Sequence, residues 1–294
     1  MITKTKEPLV SVIVTTKNSA RTIYRCLDCI KKQSYKNIEI IVVDNNSDDQ
    51  TKWIAEHYFT KLVFNHGPER SAQRNLGIKK ACGDYILYLD SDQYIHRDTI
   101  KHCLRYAETT FDCELNMQID GYDMVSIPEL NYPDTFFNKS VNYEKKVTAY
   151  HRDRALPRFF KRRVFDVVGL FNEERTFDED IEFVIRAKDR FFSQTHIDLA
   201  LLHDEGTNLK SMAKKYRYYG ARSSLNSPNS KDTPYNKEIK KFYSLDGRFF
   251  ANCILFAVVN PILFCTGMFI KAIQYISFSI GMKSGQNRLK RLKK

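Results

Sequence analysis

Three groups of residues in this 294-residue sequence have the types and spacing to do chemistry. Asp90 and Asp92 stand at i and i+2 directly after the apolar run YILYL. Carboxylates so placed can share a divalent cation, one facing the ion and the other a metal-bound water, and the cation then acts as a Lewis acid. The plain alternative for a lone Asp-x-Asp is a solvated turn. Asp178, Glu179, Asp180 and Glu182 form the second group. One carboxylate is enough to cap a helix or favour its dipole, whereas this stretch supplies four. Clustered carboxylates raise one another's proton affinity, which suits a general base. The third group is basic: Lys214, Lys215, Arg217 and Arg222 can meet a diphosphate or lipid headgroups, or form an ordinary solvated face.

The elements that must position these groups alternate in type. LVSVIVTT at 9–16 and IEIIVV at 38–43 are β-branched runs of the kind buried on both faces of a parallel sheet. KLVFN, followed by a Gly-Pro turn, and YILYLD supply two more strands. Between them ARTIYRCLDCIKKQ, WIAEHYF and SAQRNLGIKKA carry helical spacing, with Asn18 and Ser19 offering a cap to the first. Strand and helix in alternation predict an α/β fold with a mostly parallel sheet flanked by helices, and ligands at the carboxyl edge of the strands, where the acids fall. From 112 to 150 the pattern is irregular: a strand is expected at DMVSIPEL and a long loop beyond it, past Pro128 and Pro133. Residues 158–170 read as a helix closing at Gly169, and helices are expected at DEDIEFVIRAKDR and 207–222. SLNSPNSKDTP has the composition of a linker.

The strand ending in Thr15-Thr16-Lys17-Asn18, then IIVVDNNSDDQT, then RNLGIKKACGDYILYLDSD together resemble family 2 glycosyltransferases with a GT-A fold, over roughly residues 8–222. The resemblance implies a Rossmann-like catalytic domain performing metal-dependent, inverting sugar transfer from a nucleotide diphosphate. It assigns Thr15, Thr16, Asp44 and Asn45 to the nucleoside and Arg74 to the nucleotide. Asp90 falls to both nucleotide and metal, and Asp92 and His203 to the metal. Asn45 departs from the pattern, since many relatives carry a second Asp there, and an amide both donates and accepts where a carboxylate only accepts. Imidazole suits Mn²⁺ better than Mg²⁺; otherwise His203 is a structural histidine partnered by Asp204. VVGLFNEERTFDEDIEFVIRA resembles the family's acceptor-side pattern at Gly169, Phe171, Glu173, Glu179, Asp180, Glu182 and Arg186. On that match Asp180, with Glu179 beside it, is the catalytic base that takes the acceptor hydroxyl's proton. A cap for the helix that follows is the alternative.

The net charge of +12 could suggest nucleic acid, but its placement argues against that partner. From Lys271 to the end there are seven basic residues and no acid, leaving +5 for everything before. This basic end adjoins 22 uncharged residues, FFANCILFAVVNPILFCTGMFI, between Arg248 and Lys271. As a helix they reach about 33 Å, enough to span a bilayer. A single span would carry the basic tail away from a cytosolic enzyme, against the positive-inside tendency. Asn260-Pro261 sits mid-segment, where a helix kinks, and AIQYISFSIGM is too short to return unaided. A re-entrant or interfacial helical hairpin on anionic lipid is therefore expected, with a buried soluble helix as the alternative. The N-terminus lacks the apolar core of a secretory signal, and the seven cysteines form no metal-like set, so a reducing, cytosolic setting is expected.

The expected organisation is a catalytic domain at 1–222, a connection at 223–248 and membrane-associated helices with a basic tail at 249–294. The expected reaction moves a sugar from a UDP-sugar or similar donor to a hydroxyl of a lipid-linked saccharide. It takes place at the cytoplasmic face of a membrane, in surface glycan or glycoprotein synthesis. The alternatives are a polyprenyl-phosphate glycosyl synthase and a non-catalytic nucleotide-sugar-binding scaffold. The acids at 178–182 argue against the first, because they would repel an incoming phosphate.

Overall fold

The computed structural model describes residues 7–58, 60–65, 70–108, 110–112, 117–149, 156–175, 178–205, 208–225 and 247–292. The chain divides into two compact units. The first takes in Met1–Glu129, Leu156–Phe171 and Arg186–His203, and the second Leu130–Ala155, Asn172–Ile185 and Asp204–Lys294.

In chain order the early elements are β1 (Val10–Thr16), α1 (Ile23–Lys31), β2 (Ile38–Asp44), α2 (Thr51–His57), β3 (Lys61–Phe64), α3 (Arg70–Lys80), β4 (Tyr85–Asp90), β5 (Gln93–Tyr94) and α4 (Thr99–Ala107). After them come β6 (Thr110–Asp112), β7 (Met117–Ile119), β8 (Met124–Ser126), β9 (Glu129–Asn131), α5 (Phe136–Ala149), β10 (Pro157–Lys161) and α6 (Arg162–Val168). The chain continues through α7 (Glu179–Lys188), β11 (Gln194–His196), β12 (Leu201–His203), α8 (Leu209–Leu225), α9 (Gly247–Val259) and α10 (Pro261–Leu292).

The first unit is built on a seven-stranded sheet ordered β11-β8-β10-β4-β1-β2-β3. β1 lies parallel to β2 and β4, and β2 to β3, while β10 runs antiparallel to β4 and β8. Every residue of β1 is buried, as a strand covered on both faces requires. α1 turns Ile23, Cys26, Leu27 and Ile30 inward at helical spacing. Register then sets the site. Thr15 lies opposite Asp90 and Thr16 opposite Asp44, so the carboxyl ends of β1, β2 and β4 meet at one edge.

Four local expectations are corrected. Residues 158–170 are not one helix: Phe159 and Phe160 are both fully buried, which a strand achieves by pointing them to opposite faces. Their rings stack on Tyr85 at 5.2 Å and Tyr88 at 5.7 Å. The helix starts only at Arg162 and ends, as expected, at Gly169, whose φ is 87°. Asn18 does not cap α1. It sits at φ 49°, and its Oδ1 accepts from the Asp48 backbone at 3.0 Å, bracing the β1–α1 loop on the β2–α2 loop. The expected loop past Pro133 contains α5, which starts where the Thr135 hydroxyl accepts from the Asn138 N–H at 3.2 Å. Finally, AIQYISFSIGM is no separate segment but part of α10.

The second unit contains α5, α8, α9 and α10. α9 and α10 are separated at Asn260-Pro261, where the Asn260 Oδ1 accepts the Leu263 N–H at 3.1 Å and Pro261 takes the first helical position. Val141 of α5, Met212 of α8 and Ile270 of α10 share a buried cluster. Of the expected linker, 223–225 belong to α8 and 247–248 to α9, while 226–246 lie outside the described residues, as does the Gly-Pro turn after β3.

α3 lies so close to the sheet that a Cβ on Gly77 would stand 2.4 Å from Ile13 Cγ2 and 3.2 Å from Val43 Cγ2. Alanine normally gains about 1 kcal/mol over glycine inside a helix. Here overpacking against a β-branched side chain of a fully buried strand outweighs that gain, so Gly77→Ala should lose about 1–3 kcal/mol of stability. A urea midpoint equal to or above wild type would show that the close approach is dispensable.

Candidate active site

The site grows from the strand ends of the first unit. The Thr15 hydroxyl donates to Asp90 Oδ1 at 2.9 Å, and the Gln93 side chain accepts the Asp90 N–H at 3.0 Å. Arg70 and Arg74, four residues apart on one face of α3, reach the Asp90 carboxylate at 3.4 Å and 3.6 Å. Arg74 is almost fully buried and lies over the Tyr88 ring at 4.5 Å, a stacking that suits the weakly hydrated guanidinium. Burial by itself would raise the Asp90 pKa; Arg74, Arg70, Arg158 and His203 outweigh it and hold the carboxyl well below the usual range.

Beside Asp90 runs a second chain of charges. His203, at the end of β12, places Nε2 3.3 Å from Asp92 Oδ2 and Nδ1 2.9 Å from Glu129 Oε1. The other Glu129 oxygen accepts from Arg158 at 2.8 Å. Burial opposes a charged imidazole, but hydrogen bonds to Asp92 and Glu129 and the charges on both push the His203 pKa up to about 10. Glu129 and Asp92 are thus partners of the imidazole in this arrangement. Glu129 fixes the ring through Nδ1, as outer carboxylates commonly do for ligating histidines, and leaves Nε2 directed at Asp92.

The nucleoside-side candidates are buried and locally engaged. Asp44 accepts the Ser47 N–H at 2.8 Å and the Ser47 hydroxyl as well. The Asn45 N–H donates to the Thr16 carbonyl at 2.9 Å, and its Oδ1 accepts from Asn65 at 3.4 Å. Gln73 donates to the carbonyls of Thr16 and Val43, both at 2.9 Å, joining the ends of β1 and β2.

The acid cluster lies in the second unit at the start of α7. Asp178 pairs with Arg175 at 2.8 Å, and Asp180 Oδ1 accepts the Ile181 N–H at 2.9 Å. Glu179 and Glu182 are buried and Asp180 half-buried. Arg186 donates to the carbonyls of Val168 and Leu170, at 2.8 Å each, and so ties down the turn after Gly169.

The structure thus brings Thr15, Arg74 and Asp90 together in one cluster, Asp92 and His203 in a second beside it, and Thr16, Asp44 and Asn45 in a third. Sequence reasoning missed Glu129, Arg158, Arg70 and Gln73. Arg70 had a signal in its spacing of four from Arg74; Glu129 and Arg158 had none. Among the described residues no group of three His, Cys, Asp or Glu side chains is poised around a metal position. Cys26, Cys29, Cys82, Cys103, Cys253 and Cys265 are free thiols.

A divalent cation still fits. Adjacent ligands of an octahedral ion at ~2.1 Å stand about 3 Å apart, close to the 3.3 Å between His203 Nε2 and Asp92 Oδ2. Few protein ligands are the rule for ions that complete their shell with phosphate oxygens and water.

The chain is 30% identical to the poly(ribitol-phosphate) beta-N-acetylglucosaminyltransferase TarS of Staphylococcus aureus over 161 residues, which cover 50% of this chain and 28% of TarS. It is 27% identical to EpsH of Bacillus subtilis over 263 residues, 81% of this chain and 75% of that one. Among solved structures, the mannosyltransferase PcManGT of Pyrobaculum calidifontis, in complex with GDP-Man and Mn²⁺, superposes with a TM-score of 0.56 at 18% identity, over 98% of this chain and 81% of that one. The mycobacterial glucosyl-3-phosphoglycerate synthase from Mycobacterium tuberculosis, solved with Mn²⁺ and UDP, gives 0.51 at 17% identity, over 73% and 78%. These likenesses bear out the GT-A fold. The sequence model of glycosyl transferase family 2 matches residues 11–161, just over half of the chain. The chain belongs to glycosyl transferase family 2.

Proposed function

We propose that this protein is an inverting glycosyltransferase that moves a sugar from a UDP-sugar to a hydroxyl of a lipid-linked saccharide at the cytoplasmic face of a membrane. The observation that carries the reading is the charge pattern around Asp90 and Asp92. Three arginines and His203 gather on two strand-end aspartates and Glu129. That pattern offers a diphosphate both positive field and, through Asp92 and His203, a place for a cation. Thr15, Thr16, Asp44 and Asn45 take the nucleoside, and Arg74 with Arg70 faces the phosphates, Asp90 orienting both. Asp92 and His203 hold the metal, for which Mn²⁺ is preferred on account of the imidazole. When bound, it stabilises charge developing on the diphosphate leaving group. Asp180, with Glu179 beside it, takes the acceptor hydroxyl's proton while that oxygen attacks the anomeric carbon from the face opposite the leaving group. The catalytic residues occupy 1–222, and the helices beyond 249, which include a segment long and apolar enough to cross a bilayer, attach the enzyme to anionic lipid.

Asp180→Asn keeps size and hydrogen-bonding shape but cannot accept the proton. Transfer should fall by at least 10²-fold, the usual contribution of general base catalysis, with UDP-sugar binding unchanged by calorimetry. Near-normal turnover would remove Asp180 as the base. The same variant offered a polyprenyl phosphate, an acceptor already anionic, would keep its rate if the chain were instead a polyprenyl-phosphate glycosyl synthase.

Metal binding at His203 must displace a proton held with a pKa of about 10. Below that pH each ion bound releases one proton, so Mn²⁺ affinity in the presence of UDP should rise roughly tenfold per pH unit between pH 6 and 8. Mn²⁺ titration followed by electron paramagnetic resonance measures this slope. A flat profile, or one unchanged in His203→Gln, would exclude His203 as a ligand.

A further inference from the structure

α10 is built inside out. The face it turns to its protein neighbours holds Gly267, Gln274, Ser277 and Gly281, with Ile270 buried and Ile273 half-buried among them. Gln274 is 8% exposed and donates to the Met212 sulfur at 3.2 Å; Ser277 is 4% exposed. The glycines permit very close approach: a Cβ on Gly281 would meet the Arg217 carbonyl at 2.1 Å and one on Gly267 the Ser140 carbonyl at 2.5 Å. Lys271 pairs with Glu144 of α5 at 3.4 Å. About a third of a turn round the helix from that face stand Ile262, Phe269, Ile276 and Ile280, exposed by 68%, 60%, 56% and 44%. Steps of seven, seven and four residues keep these four on one side of a helix, a stripe about 27 Å long at 1.5 Å per residue. Ile254, Leu255, Val258 and Val259 of α9 are exposed as well, just before the Asn260 break. Water does not order a helix this way, since burying glycine, serine and glutamine while leaving large apolar side chains out forgoes the burial that stabilises a soluble fold.

A bilayer-spanning role does not fit the packing. α5 and α8 lie along α10 within the same unit, and they bring Glu144, Lys214, Lys215 and Arg217 with them. Such charges are costly at the depth a span would occupy. Charge names the occupant of the outer face instead. The stripe ends at exposed Lys283 and Arg288, with Lys290, Arg291, Lys293 and Lys294 following and no acid after Lys271, which matches an anionic leaflet.

We infer that α10 lies in the plane of one leaflet: Ile262, Phe269, Ile276 and Ile280 enter the acyl boundary, α9 dips in at its apolar end, and α5 and α8 stay on the aqueous side. This rests on the reading that the enzyme works at a membrane, and it specifies how.

The test uses the full chain and sealed vesicles of phosphatidylcholine with phosphatidylglycerol. Wild-type protein should float with the vesicles, and the double variant Ile276→Glu with Ile280→Glu should float at least tenfold less, with unchanged circular dichroism and melting. Trypsin added outside should release the peptides beyond Lys283 from vesicle-bound wild type. A tail protected from trypsin while the rest of the chain is cut would mean that α10 spans, and overturns the inference. Equal flotation of the variant overturns it too, as does a dimer-to-monomer shift in sedimentation with flotation unchanged, which would assign the stripe to a second copy of the chain. If wild type does not float at all, membrane attachment itself falls and the in-plane seat with it. Metal-dependent hydrolysis of UDP-sugar, measured on the same preparation, reports on the transfer chemistry separately.

Discussion

A carboxylate at a buried strand end must be compensated, or it destabilises the fold that holds it. Asp90 meets that demand through α3, and much of the first unit is arranged to let it. Three consecutive residues of that helix each tie down a different segment. Gln73 joins the last carbonyls of β1 and β2. Arg74 reaches Asp90 across the Tyr88 ring. Asn75 holds Phe171 from both sides of its backbone, accepting its N–H at 3.0 Å and donating to its carbonyl at 2.9 Å. None of these reaches would be possible with α3 an ångström further out, and Gly77 is what allows the helix its depth. Packing and electrostatics are therefore one constraint: the missing Cβ sets the distance at which the guanidinium meets the acid.

The same constraint shapes what the site can bind. Arg74 is sequestered, but Arg70 is 41% exposed and adds positive potential where Asp90 opens toward solvent. Glu129 is held by Arg158 and His203 together, so its charge is spent within the protein. The arginines are thus held with their counterions already fixed in place, so little of the site need reorganise when an anion approaches.

How much of this was legible depended on the range over which a signal acts. The parallel core was legible because β-branched runs, helical spacing and strand-end acids are local patterns: β1 to β4, α1 to α3 and the Asp90–Asp92 pair all fall where those patterns put them. Register was not legible, and the pairing of Thr15 with Asp90 is seen only in the folded sheet. Glu129 and Arg158 were invisible for the opposite reason. Each sits on a short strand with no period to read, and Glu129 meets a histidine 74 residues away. α5 was hidden by Pro128 and Pro133, which read as breakers although they precede the helix and Thr135 caps it. Asn18 looked like a cap because that is the common use of asparagine before a helix; its left-handed backbone and its bond to Asp48 make it a loop brace instead.

The C-terminal helix shows a different limit. Its composition marks it as apolar and long, and composition is the same whether a helix spans a bilayer, lies on it or fills a soluble core. Those states differ in which face is covered, and coverage belongs to the neighbours rather than to the helix. Had α5 and α8 packed on Phe269 and Ile276, the segment would be a buried core helix with its polar side in water. They pack on Gly267, Gln274 and Gly281 instead, because only small residues admit backbones so close and the Met212 sulfur accepts from the Gln274 amide. The neighbours leave the apolar stripe outward. Water disfavours that arrangement and a lipid surface favours it, so the packing carries information about the solvent that hydropathy along the chain does not.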